Sequence, residues 1–150
     1  TLAEPFESLR DQSDAALAKS GKRPAVFLAN LGTIPQHKAR ATFAKNFFEA
    51  GGFQTHSNDG FDSLESLVEA FNQSAAPIAV LCSTDAVYAD QAAATATALK
   101  TAGAKAIALA GRLGDNEDAF TQAGITTSIY MGCNVYETLH ELLQTKGVLS

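Results

Sequence analysis

Cysteine is scarce in this chain: Cys82 and Cys133 are the only two in 150 residues. They stand far apart with no Cys-x-x-Cys spacing, which excludes a disulfide framework and a zinc site. Positive charge is thin as well. Eleven Lys and Arg are scattered against sixteen Asp and Glu, for a net charge of −5. Without a basic run there is no electrostatic footprint for nucleic acid or an anionic lipid surface. Long hydrophobic runs are missing too. The apolar stretch Ile78–Cys82 falls far short of the ~20 residues that cross a bilayer, and the amino terminus lacks a signal-peptide pattern. The expected compartment is the reducing cytoplasm, which suits unpaired cysteines. Thr1 in place of Met, opening into a charged segment, suggests a piece of a longer polypeptide.

What is present is enough for one domain. With 46% hydrophobic and 18% charged residues, the chain has the balance of a single compact fold. At this length roughly 70% of the unfolded surface can be buried without disulfides or a structural metal. Residues 4–20 carry Phe6, Leu9, Ala16 and Leu17 on one face, ahead of Gly21 and Pro24, and predict an amphipathic leading helix. Ala25–Asn30 is an apolar run too short for a helix, the pattern of a strand buried on both faces. A loop with Gly32 and Pro35 leads to a helix over 37–50, closed by Gly51-Gly52.

The unit then repeats. Residues 53–57 predict a poorer strand suited to a sheet edge, and Asp62 with Glu65 reads as a capping box for a helix with Leu64, Leu67, Val68 and Phe71 buried. Ile78–Cys82 is a third strand, followed by an alanine-rich helix over 87–101 that ends before Gly103. Ala106–Ala110 is a fourth strand, Glu117–Ala123 a short helix and 127–131 a fifth strand. Asn134 with Glu137 caps a last helix carrying Val135, Leu139, Leu142 and Leu143. Strict strand–helix alternation predicts an α/β domain: a doubly wound, five-stranded parallel sheet of flavodoxin-like type with strand order 2-1-3-4-5. The switch point then falls between strands one and three, making 31–36 and 83–85 the loops of the ligand crevice.

Those loops lack the groups that common chemistries require. Residues 31–36 hold one glycine and a proline, against the closely spaced glycines of a phosphate loop. A phosphorelay receiver needs acids after strand one and a lysine after strand five, where Asn30 and Met131-Gly132 stand. His37 has no carboxylate within six positions to orient its ring, so it reads as an exposed residue beside Lys38; His56 and His140 read as surface residues. Both cysteines fit small buried apolar positions at strand ends. Asp85 favours a helix start, and Asp90, Asp115, Asp118 and the loop residue Arg112 read as solvated. No nucleophile, base and oxyanion site converge, and the chain alone is expected to be inactive.

The run from Pro24 to Gly32 and the run from Arg40 to Gly52 closely resemble the carboxyl-terminal domain of the methylmalonyl-CoA mutase small subunit. Leu81-Cys82-Ser83-Thr84-Asp85, Tyr88-Ala89-Asp90, Leu109-Ala110-Gly111 and Gly132-Cys133-Asn134-Val135 extend the similarity, and Glu4-Pro5-Phe6-Glu7 looks like the family's preceding linker. The resemblance implies a leader over 1–23 and a cobalamin-binding-like domain over 24–150. It further implies a heterodimer with a large (alpha) subunit, in which adenosylcobalamin serves the interconversion of methylmalonyl-CoA and succinyl-CoA. Cofactor-binding relatives carry Asp-x-His-x-x-Gly after strand one; counted from Gly32 those positions are Ile34, Gln36 and Ala39. Sliding by one gains His37 but sets Pro35 and Arg40 at the Asp and Gly places. The later loops read Ser83-Thr84-Asp85-Ala86 and Ala110-Gly111, where relatives use small residues and Gly-Gly. The expectation is a degenerate, non-catalytic accessory domain with no bound cofactor. The alternative is weak corrinoid binding with His37 as lower cobalt ligand and Gly32, Ser83 and Gly111 beside the cofactor.

Overall fold

The computed structural model describes residues 10–11 and 23–149. The leading helix expected over 4–20 lies outside these residues except at Arg10 and Asp11, which are helical.

Strand β1 (Ala25–Asn30), buried from Val26 onward, pairs on both sides, with β2 (Gln54–His56) and β3 (Ile78–Cys82). Strands β4 (Ala106–Ala110) and β5 (Thr127–Ile129) complete a parallel sheet in the order β2-β1-β3-β4-β5. This is the doubly wound flavodoxin-like order read from the sequence. The three central strands are the ones rich in apolar residues, since only they lose water on both faces. The edge strands are each three residues long, shorter than the alternation suggested. At β5, Tyr130 and Met131 leave the sheet for a turn in which Cys133 N–H donates to the Tyr130 carbonyl at 3.1 Å.

Side-chain alternation along the sheet separates two cores. Val26, Leu28, Val80 and Ile129 pack under helices α1 (Ile34–Ala50) and α5 (Val135–Gln144), with Phe47, Phe48 and Leu139. Phe27, Ala29, Leu81 and Leu109 face α2 (Leu64–Ser74), α3 (Asp85–Thr101) and α4 (Glu117–Ala123). On α3 the inward residues Ala92 and Ala96 are fully buried, and their small size lets the helix lie close to the sheet.

Helix starts differ from the sequence expectation in three places. Helix α1 begins at Ile34, before the expected 37, because Pro35 sits in the first turn, where a missing N–H costs nothing. Its first turn is closed by Gln36 Oε1, which accepts from Thr33 N–H at 2.8 Å. Helix α2 is capped by Ser63 with Ser66, not by Asp62 with Glu65: Ser63 Oγ accepts from Ser66 N–H at 3.1 Å. Helix α3 starts at Asp85, with Thr84 as its cap. The caps of α5, Asn134 with Glu137 N–H, stand as expected.

Candidate functional site

The carboxyl ends of β1, β3 and β4 converge at the switch point, and the structure ties them together through one tyrosine. Tyr88, in the first turn of α3 and 2% exposed, accepts from Ser83 N–H at 2.9 Å. Its hydroxyl has the Ala110 carbonyl at 2.6 Å and the Leu81 carbonyl at 3.0 Å as acceptors. Ser83, fully buried, donates its hydroxyl to the Leu31 carbonyl at 2.8 Å. The chain Leu31–Ser83–Tyr88–Ala110 thus locks three strand ends in register. Burial pushes the Tyr88 hydroxyl well above its usual range, as it does the Cys82 thiol. Neither group is a nucleophile in this setting.

Over this lock lies Arg40, reaching from α1. Its Nη1 donates to the Ser83 carbonyl at 2.9 Å and to Asp85 Oδ1 at 2.8 Å, and its guanidinium carbon stands 5.4 Å from the Tyr88 ring centre. Burial alone works against the charge, but the hydrogen bond to Asp85 and its carboxylate, with Tyr88 alongside, hold the Arg40 pKa above its ordinary value. Gly111, at φ +135°, leaves room for it: a Cβ there would sit 3.0 Å from the guanidinium carbon. Asp85, read from the sequence as a helix-start residue, is therefore also an ion-pair partner.

Of the four candidate cofactor residues, Ser83 and Gly111 meet around Arg40, while Gly32 and His37 lie together beneath Gly60. A Cβ on Gly60 would stand 3.1 Å from His37 Cε1 and 3.3 Å from the Gly32 carbonyl. His37 is 3% exposed and its Nδ1 has no hydrogen-bond partner. The expectation of an exposed histidine is corrected: the loop before α2 folds over it. Gly60, at φ +104°, was the available signal, because only glycine allows that loop to approach so closely. His56 and His140 are half-buried, and His140 stacks on Tyr136 at 5.6 Å, so neither is a plain surface residue. Arg112 is likewise engaged, 4.0 Å from the Tyr130 ring centre. Cys82 is buried and Cys133 half-buried, both unpaired; Asp90, Asp115 and Asp118 are exposed, as read. Among the described residues no three His, Cys, Asp or Glu side chains are grouped to hold a metal, and no helix is long and apolar enough to cross a membrane.

No family model matches the chain. It is 44% identical over 145 residues to the methylmalonyl-CoA mutase small subunit of Streptomyces virginiae, an alignment covering 97% of this chain and 22% of that protein. This chain is a methylmalonyl-CoA mutase small-subunit homologue. The small subunit of Propionibacterium freudenreichii subsp. shermanii is 38% identical over 148 residues, and that of Porphyromonas gingivalis 36% over 146, each across 97% of this chain and 22% of the relative. This chain thus spans about a fifth of the length of those relatives. Its fold is also that of a CheY-like protein, TadZ, from Pseudomonas aeruginosa PAO1: TM-score 0.58 at 22% identity, covering 80% of this chain and 91% of that one. That likeness concerns the fold alone. In this small-subunit homologue Asn30 ends β1 where a receiver needs acids, and its amide is spent on Asn58, at 3.0 Å from the carbonyl and 3.2 Å from Oδ1.

Proposed function

We propose that this small-subunit homologue is a non-catalytic accessory domain. Its role is to pack within a methylmalonyl-CoA mutase heterodimer in the cytoplasm, beside a large subunit that carries adenosylcobalamin and the isomerisation of methylmalonyl-CoA and succinyl-CoA. In this reading the domain itself holds no corrinoid.

The observation that carries the reading is the placement of Arg40. A corrinoid with a histidine lower ligand needs an accessible imidazole and open ground beside Ser83 and Gly111. Here the His37 ring is enclosed under Gly60, its tautomer set by no carboxylate. The ground beside Gly111 is filled by a guanidinium held by two hydrogen bonds. The residues present therefore do not fit the group, and an interface is left as the working surface.

Titration with hydroxocobalamin, followed by visible absorption, tests the cofactor half. No saturable change is expected; a saturable change that disappears in His37→Ala would overturn it and make His37 a cobalt ligand. Co-purification of the full small subunit with the large subunit tests the accessory half, and a monodisperse small subunit with no association would overturn that.

A further inference from the structure

A second hollow, which Arg40 does not line, opens between the loop after β1, the loop before α2, and helix α3. It is a cleft of about 660 Å³. Its charge is of one sign. Asp59 and Asp62 stand exposed at its rim, no Lys, Arg or His lines it, and neither carboxylate has an ion-pair partner among the described residues. Leu31 and Leu67, both buried, and half-buried Phe61 supply an apolar wall.

Within that wall is Thr95 of α3, 3% exposed, whose hydroxyl has no hydrogen-bond partner among the described residues. A buried hydroxyl is normally paired, and in a helix it commonly turns back to the carbonyl four residues earlier. This one takes no partner from the protein but opens on the cleft, so it is free to meet a polar group there. Asn30, at the same margin, adds to the excess of acceptors. Its Nδ2 faces two oxygens of Asn58, so the atom left unpaired is the carbonyl Oδ1, and an amide flip would set acceptor against acceptor. An anion at the start of α2 is disfavoured by the same inventory, because Ser63 already caps the helix and two carboxylates stand beside it.

We infer that this cleft receives a basic side chain, arginine or lysine, from a protein partner, the charged head meeting Asp59 and Asp62 and the aliphatic stem lying along Leu31, Phe61 and Leu67. Such side chains bury their stems on apolar surface while the head keeps polar company. The existence of a partner rests on the accessory-domain reading; the chemistry of the cleft does not.

Two measurements test the inference separately. The first titrates the isotope-labelled chain with agmatine, an alkylguanidinium, and follows amide chemical shifts. Saturable millimolar binding centred on Gly60, Ser63 and Thr95 is expected, weakened about tenfold in the Asp59→Asn/Asp62→Asn variant, whose exposed side chains leave the fold intact. Absence of saturation, or binding of inorganic phosphate at the same amides, would overturn the cation site. The second measures affinity of the full small subunit for the large subunit. The double variant and Thr95→Val are each expected to weaken it about tenfold, with a steeper salt dependence in the wild type. Unchanged affinity would overturn the assignment to a partner even if agmatine binds. If the wild-type subunits fail to associate, the accessory reading falls and the partner assignment with it, while agmatine still reports on the cleft.

Discussion

Tyr88 concentrates more of the site's order than any other residue. Replacing it with Phe keeps the ring that Arg40 covers but leaves the Ser83 N–H and the Ala110 carbonyl without their partner. Unsatisfied buried groups cost about 1–3 kcal/mol, so a urea titration of Tyr88→Phe is expected to show a loss in that range with an unchanged slope. The same residue sets an alkaline limit. Burial raises the folded-state pKa of Tyr88 above the ordinary 10.0 and that of Cys82 above 9.0. The unfolded chain therefore gives up these protons first. Stability is full below about pH 9 and falls as pH climbs past it. The urea midpoint of the wild type should decline above that pH, and the decline should be shallower in Tyr88→Phe; a flat midpoint through about pH 11 would refute the assignment. None of this lock was visible in the sequence. Tyr88 stood there only as part of the run Tyr88-Ala89-Asp90, and its hydroxyl acquires partners only when β3 and β4 bring Ser83 and Ala110 together.

At the scale of elements, the helix caps separate what local sequence says from what it permits. Asp62 with Glu65 satisfies the capping-box spacing, yet the helix starts one residue later on Ser63 with Ser66. Both pairs have the right chemistry at the right spacing, so a one-residue shift in helix start decides between them. Ser63→Ala should cost about 1 kcal/mol in thermal or urea unfolding, whereas Glu65→Ala should cost no more than a few tenths. Equal losses would mean that the two caps compete. Helix α3 offers a second check. Ala96 is fully buried against the sheet, so Ala96→Leu inserts side-chain volume into a closed space, and a loss of about 1–3 kcal/mol is expected from differential scanning calorimetry. The alternation of short apolar strands with amphipathic helices located all five strands, because each central strand is buried on both faces and reads as an unbroken apolar run. Ends were less legible: Pro35 signals a loop in isolation and the first turn of α1 in context.

For the whole molecule, composition and periodicity were sufficient for the sheet order, since right-handed crossovers leave few alternatives once five strand–helix units are recognised. The sequence by itself also showed that the loops lack a phosphate-binding pattern and that the motif around His37 is broken. It could not say where His37 lies. Residues nearest in sequence leave it on an open first turn, and only the loop from 57 to 62, carried across by β2, covers it. Nor could it say that Arg40 fills the crevice, since its partners Ser83, Asp85, Tyr88 and Gly111 are all forty or more positions away along the chain. Local pattern determines which segments become strands and helices, because burial periodicity is written residue by residue. Which side chain occupies a shared space is decided by contacts between segments, and those exist only after the sheet has formed.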